Sequence, residues 1–146
     1  MVNESFIHAL ICNYLRTNYP DVIFTSDLSG VRLGMNLAKK VKPLKSGRGI
    51  PDLIIFQPAG AYHGLLIEIK TEQAKVLKRD GTLRKDDHLA EQMQTITRLR
   101  NLGYAAFFVR GFEAGRTLIE SYMKLGPLEH LIDSQPIEWV KIKHTQ

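Results

Sequence analysis

The chain has 146 residues, 44% hydrophobic and 24% charged, with a formal net charge of +5. That length suits one domain burying roughly two-thirds of its unfolded surface without metal or disulfide staples, so a single domain over 1–146 is expected, with its core near 3–124 and a tail over 125–146. A lone cysteine, Cys12, excludes an intrachain disulfide, and the absence of a signal peptide or membrane-length apolar run predicts a soluble protein of the cytoplasm.

In chain order, apolar spacing predicts a helix over about 3–18, with Ile7, Leu10, Ile11, Tyr14 and Leu15 as its buried stripe. Glu4 stands three residues before Ile7 and seven before Ile11, so it flanks the inward face. It is either a first-turn acid complementing the helix dipole or a side chain directed at a site. A strand near 22–26 follows, then a basic connection with one helical turn near Met35 to Lys40.

The next two strands, near 52–57 and 64–71, are apolar runs that carry ionisable residues. In the second run, Glu68 and Lys70 lie two apart and so share a face. A buried carboxylate needs a cation nearby, and Lys70 alone would satisfy it as a plain ion pair. The first run adds Asp52, entering the sheet from its end behind Pro51. If the runs pair, two carboxylates converge, and like charges about 4 Å apart repel by roughly 4 kcal/mol at an effective dielectric of 20. One Lys does not easily offset both. A hard divalent cation does, and Mg²⁺ takes one or two carboxylates and leaves its other positions to water and phosphate. With an ammonium beside it, that arrangement serves phosphodiester hydrolysis.

Beyond the second strand, Asp80-Gly81 centres a hairpin signal over Val76 to Arg84. A helix over about 87–102 follows, with Leu89, Met93, Ile96, Leu99 and Leu102 as its apolar stripe. Gln92 falls on that stripe, where an inward amide must find polar partners, either sheet-end backbone or a site. A strand near 104–109, a helix near 114–124 and a less regular tail, with Ile137 to Ile142 as a short edge strand or a partner contact, complete the order. It suits an α/β fold with a mixed sheet and helices on both faces.

Gly49-x-Pro51-Asp52-Leu53, Glu68-x-Lys70, Glu91-Gln92, the run Leu99 to Tyr104 and Val109-Arg110 together resemble the VRR-NUC (virus-type replication-repair nuclease) family of the PD-(D/E)XK nuclease superfamily, in particular its small stand-alone phage members. The resemblance covers roughly 3–124. It departs where Gly111 follows Arg110 in place of a second Arg, and where Glu72 to Asp87 is longer and more charged. It implies a PD-(D/E)XK core and a Mg²⁺- or Mn²⁺-dependent DNA endonuclease. Asp52 and Glu68 would hold metal, Lys70 would assist the nucleophilic water, and Gln92 and Glu4 would orient the site. Stand-alone relatives further imply a homodimer that cuts branched DNA such as four-way (Holliday) junctions, in the host cytoplasm for a phage protein.

The basic residues cluster in two places. Arg32, Lys39, Lys40, Lys42, Lys45 and Arg48 precede the Asp52 strand, while Lys75, Lys78, Arg79, Arg84 and Lys85 follow the Glu68 strand. Both groups would leave the sheet near the site and neutralise DNA phosphates without reading sequence. Five histidines (His8, His63, His88, His130, His144) lack zinc-ligand spacing and carry no ligand role in this reading. Two rivals share the core: a restriction-type enzyme reading a defined duplex sequence, and a DNA-binding module whose acids are only structurally paired.

Overall fold

The structure, a computed structural model, describes residues 2–28, 33–47, 49–131 and 136–140. Arg32, Arg48, His144 and the end of the expected edge strand lie outside the described residues. The elements are α1 (Glu4–Asn18), β1 (Phe24–Ser26), α2 (Met35–Val41) with a 3-10 turn at Lys42–Leu44, β2 (Leu53–Ile55), β3 (Leu65–Lys70), α3 (Asp87–Asn101), β4 (Ala105–Arg110) and α4 (Gly111–Met123).

The two acid-bearing runs pair. β1, β2 and β3 are successively antiparallel, β4 joins β3 in parallel through the α3 crossover, and the sheet order is β1-β2-β3-β4. This is a mixed α/β architecture. Strand alternation divides the sheet's side chains between two cores. Leu53, Ile55, Leu65, Ile67, Ile69, Phe107 and Val109 pack with Ile7, Ile11 and Leu15 of α1 and Leu118, Ile119 and Tyr122 of α4. Leu66, Ala106 and Phe108 face the other way, towards Leu89 and Ile96 of α3. Ile54, Glu68 and Lys70 belong to that second face by alternation.

Both long helices begin on capping side chains: Asn3 accepts from Phe6 N on α1, and Asp86 accepts from Leu89 N on α3. Their buried stripes are narrower than the apolar pattern suggests. On α1 only Ile7, Ile11 and Leu15 are buried, while Leu10 is 37% exposed. On α3 the buried set is Leu89, Gln92 and Ile96, and Met93 and Leu102 are exposed. Each helix buries one narrow row at three- or four-residue spacing, so apolar residues one step off that row sit at its rim. α4 also starts earlier than expected, at Gly111, because Gly111 turns the chain directly from β4 with φ of +85°.

The Asp80-Gly81 signal forms its hairpin. Leu77 and Leu83 bridge antiparallel, Arg84 N donates to Val76 O, and buried Val76 anchors the base in the α3-side core. The tail also reaches the sheet. Phe108 N donates to Ile137 O and Trp139 N donates to Phe108 O, so Glu138 bridges Phe108 in parallel at the open edge of β4. Buried Glu138 pairs there with Arg110, whose Nη1 also donates to Ala74 O at 3.3 Å. Among the described residues, no helix is long and apolar enough to cross a membrane.

Candidate active site

Leu53 lies opposite Ile67 in the β2–β3 ladder, so one step further along puts Asp52 opposite Glu68. Directly opposed residues of an antiparallel pair project to the same face, and the two carboxyl groups are close enough for the Asp52 charge to act on Glu68. Asp52 is fixed from behind, since its Oδ2 accepts from Ile69 N at 2.8 Å. Glu68 is 4% exposed, with Lys70 Nζ at 3.9 Å from its Oε1. That oxygen also accepts from Gln92 Nε2 at 2.7 Å.

The electrostatics follow from this crowding. Burial pushes the Glu68 carboxyl far above the usual carboxylate range, and the Asp52 charge adds to it. Lys70 opposes the shift, while the closeness of Asp52 and the charge of Glu4 reinforce it. Two acids held this close, with one ammonium between them and solvent, form a site short of positive charge. They are the oxygen donors that could hold a cation. Among the described residues, no cluster of three or more His, Cys, Asp or Glu has metal-holding spacing.

Asp52, Glu68, Lys70 and Gln92 share the wall of a cavity of about 610 Å³. Glu4 reaches the same cavity from the first turn of α1. All five expected site residues therefore meet in one place, brought by two strands and two helices. The basic residues divide. Lys42 and Lys45 line the cavity, with Lys45 paired to Asp27 at 2.9 Å. Lys39 and Lys40 are exposed on α2, and Lys78, Arg79, Arg84 and Lys85 lie on and beside the hairpin, outside the cavity wall.

Two lining residues were not anticipated as site residues. Asp27, just past β1, donates its backbone N–H to Asp52 O at 2.8 Å and holds Lys45. His88 stands one helical turn before Gln92, with its Nε2 at 3.2 Å from the Gln92 amide nitrogen. The i, i+4 spacing on α3 was the available signal for His88; nothing local marked Asp27.

Gly49 keeps this wall closed. Its φ is +85°, and a Cβ there would come within 2.9 Å of the Glu91 carbonyl oxygen and 3.0 Å of Thr95 Oγ1 on α3. Gly49→Ala combines left-handed strain of about 1–2 kcal/mol with a clash against helix backbone. It is expected to lower stability by about 2 kcal/mol in urea unfolding and to loosen the Gly49–Asp52 approach. An unchanged midpoint would show that this approach is not tight.

The site sits on an α/β class of fold in which three antiparallel strands are extended by a parallel fourth, with the paired acids at the centre. No protein-family model matches the chain, and no curated protein matches it. A solved structure described as a VRR_NUC domain protein is similar over 86% of this chain and 92% of that chain, with a TM-score of 0.60 and 24% sequence identity. The likeness shows that the chain shares the fold of that protein.

Proposed function

We propose that the protein is a Mg²⁺- or Mn²⁺-dependent DNA endonuclease that hydrolyses phosphodiester bonds and, as a homodimer, prefers branched DNA such as four-way junctions. One observation carries the reading: Asp52 and Glu68 are packed together at the wall of an open cavity, with the Lys70 ammonium 3.9 Å from Glu68. A structural ion pair would need one acid and one base. The extra buried acid is a cost that a catalytic cation removes.

Asp52 and Glu68 would hold the cation, which when bound polarises the scissile phosphate and lowers the pKa of a coordinated water. Ile69 N fixes Asp52, and Gln92 Nε2 fixes Glu68, so both acids are set before substrate arrives. Lys70 orients the attacking water and stabilises the negative charge that develops on phosphorus-bound oxygen. Glu4 orients the same region from α1. Lys42 at the rim and the lysines and arginines of α2 and the hairpin take neighbouring phosphates, which gives affinity without sequence readout. A two-fold pair of such sites suits the paired scissile phosphates of a junction.

The test uses labelled linear, flap and four-way-junction DNA with Mg²⁺, Mn²⁺ or EDTA. Cleavage is expected with either ion, none with EDTA, and the junction is expected to be cut in preference to linear duplex. Failure to cut any of the three with metal present would overturn the reading. Cutting of linear duplex at one defined sequence would replace the junction preference with restriction-type recognition.

A further inference from the structure

The Gln92 side chain is 4% exposed, and its two ends are treated unequally. The nitrogen has two partners, Glu68 Oε1 at 2.7 Å and His88 Nε2 at 3.2 Å. The oxygen, Oε1, is buried with no partner among the protein's atoms. A buried amide oxygen without a donor is uncommon and costly, and such groups concentrate where a ligand or reactant completes them. His88 itself is exposed, on the first turn of α3, and borders the cavity.

These contacts fix donor and acceptor roles. An amide nitrogen only donates, so His88 Nε2 accepts and its ring proton lies on Nδ1. The reverse amide orientation would withdraw the donor that Glu68 Oε1 accepts from at 2.7 Å. Glu68 alone, however, occupies only one of the two amide hydrogens. His88 occupies the other and so resists rotation of the group.

We infer that His88 is a positioning residue for the proposed nuclease: it holds the Gln92 amide so that the nitrogen stays on Glu68 and the carbonyl oxygen stays an unpaired acceptor for a bound reactant to complete. The role rests on the nuclease reading. It assigns a use to the orphaned oxygen that Glu68, Lys70 and Asp52 leave unexplained.

Two measurements test the inference. Long-range ¹H–¹⁵N spectra of the metal-free protein at pH 8 should show His88 mainly as the Nδ1–H tautomer, and Gln92→Leu should return it to the Nε2–H form usual for exposed histidine. In steady-state cleavage, His88→Leu should lower kcat about tenfold with KM within about twofold. His88→Gln, which offers a non-titrating acceptor at similar reach, should recover to within about threefold of wild type. An Nε2–H tautomer in the wild type, or a His88→Leu enzyme with the wild-type rate, would overturn the inference. A wild-type protein that cuts no DNA would remove the catalytic consequence, while the tautomer measurement would still decide whether His88 holds the amide.

Discussion

Asp52→Ala and Lys70→Ala should each lower DNA cleavage at least a hundredfold while leaving DNA affinity within about threefold. Electrostatic and metal contributions at such sites supply several kcal/mol of transition-state stabilisation, whereas phosphate contacts spread over the rim set affinity. Asp52→Ala also removes the acceptor of Ile69 N, and an orphaned buried N–H costs about 1–3 kcal/mol. Asp52→Asn separates the two effects. It retains an acceptor for Ile69 and should fold as the wild type does, yet remain inactive because the charge is gone. Gel-shift binding beside single-turnover cleavage makes the measurement. Cleavage surviving in the Asn variant would end the case for Asp52 as a metal-holding acid.

Glu68→Gln should produce the opposite signs for activity and stability. The wild-type carboxyl is buried against Asp52 and is shifted upward by burial first and by the Asp52 charge second. A folded-state pKa above the unfolded value means that the native protein binds the extra proton. The associated destabilisation is absent below the ordinary carboxylate pKa and grows as pH rises towards the raised value. An amide at this position donates to Asp52 without any charge, so the variant should gain about 2 kcal/mol at pH 8, or roughly 4–8 °C in melting temperature. The gain should shrink towards pH 4.5, about the ordinary carboxylate value. Saturating Mg²⁺ or Mn²⁺ should raise the wild type and leave the variant unmoved, narrowing the gap. Cleavage by the variant should fall at least a hundredfold. A variant less stable than wild type at pH 8 in EDTA would mean that Glu68 is satisfied without a cation.

The strands around Asp52 and Glu68 were legible because burying ionisable residues within strand-length apolar runs is costly unless their charges meet at a site. Period-2 geometry put Glu68 and Lys70 on one face, and pairing of the two runs, observed as the Leu53–Ile67 register, brought Asp52 to them. Gln92 was legible as a polar residue on an apolar stripe, and it is buried as that implied. Leu10, Met93 and Leu102 were misread because the apolar pattern gives a stripe's centre and overstates its width; how much of the rim is covered depends on how the neighbouring elements pack. His88 was missed for a related reason. Its type suggested zinc, its spacing excluded zinc, and its actual neighbour became visible only once Gln92 was placed inward. Asp27 depends on a tertiary contact with Asp52 across 25 positions of chain, for which a single sequence holds no local sign. The edge bridge of Glu138 to β4 was anticipated in kind, and the Arg110 pairing that secures it was not.

One wall of the cavity is built differently from the rest. The segment comprising α2 and the 3-10 turn buries none of its residues, and α2 has no capping side chain at its N-terminus. Next to it, Lys45 pairs with Asp27 just past β1, an interaction that salt weakens. The opposite wall is β3 and α3, whose side chains belong to the central packing. Local unfolding free energy scales with buried contacts, so amide protons of Met35–Leu44 exchange with solvent by a small opening while those of β3 await disruption of the whole domain. On the proposed nuclease reading, a duplex would gain entry by displacing the weakly seated side while Glu68, Lys70 and Gln92 kept their spacing.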